Sequence, residues 1–114
     1  STSFLIQDQE VIGSFGDPEF ATAFARIECH YFAHKAFFST DNWLIENLEK
    51  IRHIPCEIVQ GRYDIVCPMM SAWELSRAWP ESRLHIIPDA GHSAMEQGIR
   101  SKLIEIVERM ANLK

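Results

Sequence analysis

The stretch Cys56-Glu57-Ile58-Val59-Gln60-Gly61-Arg62-Tyr63-Asp64 decides how this chain folds. A short run centred on Ile58 and Val59 stops at a glycine, and an acid follows three positions later. Such a run reads as a buried strand, and Pro55 in front of it separates it from any preceding helix. Arg83-Leu84-His85-Ile86-Ile87 repeats the form, closed by Pro88, and leads into Asp89-Ala90-Gly91-His92-Ser93. Between the two, Met69 to Trp79 predicts a helix set between Pro68 and Pro80. Gly98 to Asn112 predicts the last helix, with Ile99, Leu103, Ile106, Val107 and Met110 as its apolar stripe.

Strand, helix, strand, helix with short connections is the order of a parallel sheet with crossover helices, so the expected fold class is α/β. Two parallel strands do not close a core alone, and the rest of such a sheet is expected from elsewhere.

Working toward the start, Pro55 ends a helix predicted from Asn42 to about Arg52, with Trp43, Leu44, Leu48 and Ile51 on one face. Before it, Asp17 suits a helix cap with Pro18 at the first helical position. Phe20, Phe24, Ile27, Tyr31 and Phe38 then recur near helical spacing. The segment from Ser1 to Gly16 is mixed and runs into a turn at Gly13-Ser14-Phe15-Gly16-Asp17-Pro18.

Composition narrows the function classes. The chain has 114 residues, 46% hydrophobic and 24% charged, as expected of an ordinary globular protein. A net charge of -5 gives nucleic acid no electrostatic reason to bind. No apolar run reaches membrane-spanning length. Cys29, Cys56 and Cys67 are an odd number without close pairs, which fits reduced thiols in the cytoplasm better than disulfides or a zinc site. Neither a metal nor a cofactor is expected.

In open α/β sheets the reactive groups sit beyond the C-terminal ends of the strands. Asp64 follows the first strand and His92 the second, 28 positions apart in sequence. Parallel neighbouring strands would bring both loops to one rim. An acid after one strand and a histidine after the next is the second half of the α/β-hydrolase order of nucleophile, acid, histidine. The acid fixes the imidazole tautomer and stabilises the imidazolium, leaving the other ring nitrogen to take a proton from a hydroxyl. Taken singly, each residue also reads as a turn or structural residue, and Asp89 suits a turn better than a partnership with His92. No nucleophile elbow of the form G-x-S-x-G is present: Gly13-Ser14-Phe15-Gly16 has its serine out of register, and Ser93 directly follows the histidine. Cys67 is a substitute by position alone, and a pocket-lining thiol is the plainer reading.

The runs Ile58 to Pro68, Ser71-Ala72-Trp73-Glu74-Leu75 and Ala90-Gly91-His92-Ser93 resemble the C-terminal region of bacterial proline iminopeptidases, and Ala25 to Phe32 resembles the last helix of that family's cap domain. The resemblance runs from about Asp17 to the end. It implies residues 1–40 as the end of a helical cap and 41–114 as the C-terminal part of an α/β-hydrolase domain whose nucleophile-bearing part is absent. It further implies a cytoplasmic, metal-independent serine exopeptidase that removes N-terminal proline from peptides, inactive as this piece alone. Asp64 and His92 would be the acid and base, Glu28 would be one of the carboxylates holding the substrate's charged amino terminus, Phe32 would help line the proline pocket, and Cys67 would sit close to it. A carboxylate suits a protonated amine, and aromatic rings suit a pyrrolidine. Two departures stand out: Gln60 replaces the family's usual histidine, and Cys29 its usual asparagine.

Two other readings remain open. One is an esterase or epoxide hydrolase, whose substrates have no amine for Glu28. The other is a non-catalytic module that self-associates through a sheet edge or apolar surface, giving a homo-oligomer.

Overall fold

The computed structural model describes residue 5 and residues 16–112. Expectations for Ser1 to Phe15, Leu5 apart, lie outside the described residues, including the turn at Gly13 and Ser14. The chain divides into two compact units, one of Asp8–Asn47 and one of Leu48–Lys114 with Ser1–Gln7.

The first unit is helical. Helix α1 (Pro18–Ala33) begins as its sequence predicts, with the Asp17 carboxylate accepting from the Glu19 and Phe20 N–H groups and Pro18 in the first turn. The helix stops at Ala33 and does not carry Phe38. A 3-10 turn, Lys35–Phe37, follows, and its three residues all take positive φ (49°, 51° and 63°). Left-handed backbone is costly for residues with a Cβ, and here it turns the Phe37 ring onto His30, Tyr31 and His34, with centroids 5.6, 5.4 and 5.2 Å away.

The helix expected from Asn42 to Arg52 is broken into α2 (Trp43–Glu46) and a 3-10 turn at Leu48–Lys50. The break falls at Asn47, whose φ of -108° and ψ of 9° end the helix. Its N–H still reaches the Trp43 carbonyl at 3.2 Å, and its side-chain amide adds a second bond to that carbonyl at 2.8 Å, capping the helix there.

The second unit is the α/β part. Strand β1 (Glu57–Gly61), helix α3 (Met69–Ala78), strand β2 (Arg83–Ile87) and helix α4 (Gln97–Ala111) follow in the expected order, with bounds moved by a residue at β1, α3 and α4. The strands are parallel, Glu57 opposite Arg83 and Gly61 opposite Ile87, and among the described residues they form a two-stranded sheet. Helix α3 is the crossover between them and packs on both, while α4 lies against β1. Ile87, Ala90 and Ile99 form the buried centre with Val59 against it. Gly98 lets α4 seat there, because a Cβ at that position would come within 2.7 Å of the Ile87 methyl. The α4 stripe is buried at Ile99 and Ile106, whereas Val107 is exposed. At the other end of this unit, the Arg52 guanidinium joins Glu49 and both oxygens of Glu81, pinning the segment before β1 to the turn after α3.

Candidate active site

The strand ends build the site before any side chain does. Beyond β1 and β2 the loops are joined by main chain: the Arg62 N–H donates to the Ile87 carbonyl at 2.9 Å, and the Tyr63 N–H to the Ala90 carbonyl at 3.0 Å. This joining requires Gly61. A Cβ there would lie 1.9 Å from the Gly91 carbonyl oxygen and 2.7 Å from that of Ala90, so only glycine admits the approach.

Asp64 and His92 are brought together by this arrangement. His92 Nδ1 lies 3.0 Å from Asp64 Oδ2. The Asp64 side chain is 6% exposed and that of His92 36%, so the acid is enclosed and the ring reaches solvent. Asp64 Oδ1 accepts from the Val66 and Cys67 N–H groups at 2.9 and 2.8 Å. Burial pushes this carboxyl up, but the Cys67 N–H, the His92 ring and the Val66 N–H outweigh it and hold it below the usual aspartate range. An ionised carboxylate only accepts, so the proton of the His92–Asp64 bond sits on Nδ1, and Nε2 is left as the basic nitrogen. Chemically, the pair is a base whose tautomer and orientation are set.

The contacts of two neighbours escaped the sequence reading. Gln60 Nε2 donates toward Asp64 Oδ2 at 3.3 Å. Glu96, 8% exposed, accepts from the Gly91 N–H at 2.9 Å and from the Leu5 N–H at 3.1 Å, gripping the residue before His92. A local signal for Glu96 existed in Ser93-Ala94-Met95-Glu96, which has the spacing of a capping box. The carboxylate instead reaches past that box to the His92 loop. Gln60 carried no local signal, since its partners depend on how the chain turns after β1.

The other anticipated residues are placed as follows. Cys67 touches the pair through its N–H, and its thiol is free and exposed. Glu28 and Phe32 are exposed on α1, four positions apart and so on neighbouring turns of one face. Among the described residues no group of three or more His, Cys, Asp or Glu is placed to hold a metal ion. No helix among them is long and apolar enough to cross a membrane.

No protein-family model matches the chain. Individual curated proteins do. The chain is 57% identical over 114 residues to a protein of Leptolyngbya boryana named "probable proline iminopeptidase". It is 53% identical over 112 residues to a proline iminopeptidase of Arabidopsis thaliana, and 51% identical over 96 residues to one of Xylella fastidiosa (strain 9a5c). These alignments take in 100%, 98% and 84% of the chain, yet 36%, 30% and 31% of the relatives. The chain thus spans about a third of the length of the curated relatives it matches, and as that stretch it belongs to the proline iminopeptidase family.

Proposed function

We propose that this chain is the C-terminal part of an α/β-hydrolase and supplies the acid and base of a serine exopeptidase that releases N-terminal proline from peptides. The 3.0 Å contact between His92 Nδ1 and the enclosed Asp64 carboxylate carries this reading. In it, a serine from sequence outside the chain loses its proton to His92 Nε2 as its oxygen attacks the prolyl carbonyl. The imidazolium, steadied by Asp64, returns that proton to the departing amine, and water then releases proline from the acyl-enzyme by the same route. By the family resemblance, Glu28 holds the protonated proline nitrogen and Phe32 helps line its ring pocket. Residues 1–40 close the helical cap, and 41–114 belong to the hydrolase domain. Free thiols at all three cysteines support a cytoplasmic setting.

The test uses proline p-nitroanilide. The chain alone gives no turnover above blank. A longer form carrying a G-x-S-x-G elbow hydrolyses the amide and loses activity about a thousandfold or more with His92→Ala. Full activity in the His92→Ala form would end the proposal, as would turnover by the chain alone that disappears with Cys67→Ala. Preference for an uncharged ester over the prolyl amide would favour the esterase reading and remove the role of Glu28.

A second reading, self-association into a homo-oligomer, is favoured by the exposure of Phe20, Phe24, Ile27 and Phe32 on α1 and of Ile104 and Val107 on α4. Light scattering at high concentration reads it directly, and a strictly monomeric mass removes it.

A further inference from the structure

We propose that Gln60 is a positioning residue for the Asp64 carboxylate, an inference that rests on the reading of Asp64 and His92 as acid and base. Gln60 Nε2 faces three acceptors: the Cys67 carbonyl at 3.0 Å, the Gly61 carbonyl at 3.2 Å and Asp64 Oδ2 at 3.3 Å. The reverse amide orientation would press an oxygen against three oxygens, so chemistry fixes which end points inward. Its two N–H groups are spread over these three acceptors.

A carboxylate offers about four lone-pair directions. At Asp64 two are filled at Oδ1 by the Val66 and Cys67 N–H groups. The other two are filled at Oδ2 by His92 and Gln60. With all four occupied the carboxylate has no free rotation to spend, and Oδ2 stays aimed at the imidazole. Gln60 acts twice over, because its bond to the Cys67 carbonyl also anchors the peptide whose N–H holds Oδ1. An amide does not titrate in the working range, so this support is the same at every pH and favours only the ionised acid.

The test is the titration of the Asp64 side-chain carboxyl, followed by carbon-13 NMR in the chain itself and in three variants. Gln60→Leu removes the donor and raises the Asp64 pKa by about half a unit to one unit. Gln60→Glu keeps size but opposes a second carboxylate, raising it at least as much, and the dispersion of the amide resonances verifies that each variant remains folded. His92→Ala raises it independently, since the ring is one of the groups that hold it down. An unchanged Asp64 titration in both Gln60 variants, with a rise in His92→Ala, overturns the role of Gln60 and leaves the acid–base pair intact. No rise in His92→Ala overturns the pair, and the inference falls with it.

Discussion

Glu57 and His85 meet across the two strands at 2.6 Å, with the same 28-position separation as Asp64 and His92. Val59 is the strand partner of His85, so Glu57 is its diagonal neighbour on the same face of the sheet. One register therefore makes two carboxylate–imidazole contacts, one near each end of the sheet. Their surroundings differ. Glu57 also takes Arg109 of α4 on its second oxygen and has Arg83 3.8 Å away, so it is a hub of cations, whereas the Asp64 carboxylate is filled by main-chain and amide donors. The Glu57 cluster ties β1, β2 and α4 together.

Acid sensitivity follows from these carboxylates. The His85 ring holds Glu57 below the usual glutamate range, more than burial raises it, with Arg109 adding to the effect, and Asp64 is held down as well. A folded-state pKa below the unfolded one means that the unfolded chain binds more protons as pH falls. The stability that these groups contribute is thus complete above the ordinary carboxylate values of about 4, and is lost as pH falls through their lower folded values. Urea unfolding from pH 7 down to pH 2 is expected to show this loss. Glu57→Gln is expected to lower stability at pH 7 and to flatten the acid slope; an unchanged slope contradicts the assignment.

Gly61→Ala is expected to destabilise the second unit by roughly 3 kcal/mol or more, because its methyl would collide with two main-chain carbonyls that cannot swing away as a side chain can. Denaturant midpoints measure the loss. A change below about 1 kcal/mol would show that the loops separate easily.

Glu96→Ala is expected to cost about 1–3 kcal/mol, since it strips the buried Gly91 N–H of its acceptor. Glu96→Gln retains an oxygen for Gly91 and is expected to cost less. Hydrogen exchange at the Gly91 amide distinguishes them, with fast exchange in the alanine variant and near-native protection in the glutamine variant.

Ala36→Gly is expected to stabilise the first unit by about 1 kcal/mol by relieving the left-handed backbone at φ 51°. Thermal unfolding followed through the His30 and His34 ring resonances reports it. Destabilisation would mean that the turn is not held in this conformation in solution.

The sequence carried the parts of this structure that local chemistry dictates. Asp17 and Pro18 mark a helix start, while Pro55, Pro68 and Pro80 bound elements by removing an N–H or fixing φ. The β-branched run before Gly61 and its echo before Pro88 marked both strands, and their C-terminal ends pointed to Asp64 and His92. What was hidden depends on competition or distance. The break at Asn47 comes with a side-chain amide that shares the Trp43 carbonyl with the backbone, and the left-handed turn at Lys35–Phe37 has no glycine to announce it. Glu57 with His85, and Glu96 with Gly91 and Leu5, become neighbours only once register and helix placement are set.

The bonds from Arg62 to Ile87 and from Tyr63 to Ala90 run from amide to carbonyl, and so they do not read residue identity. Arg62, Tyr63, Ile65 and Val66 are exposed, and exchanging them leaves those amides in place. The joint that seats Asp64 beside His92 is therefore written in the polypeptide backbone, and a library confined to these four codons, proline excepted, is expected to leave the spacing of the two side chains unchanged.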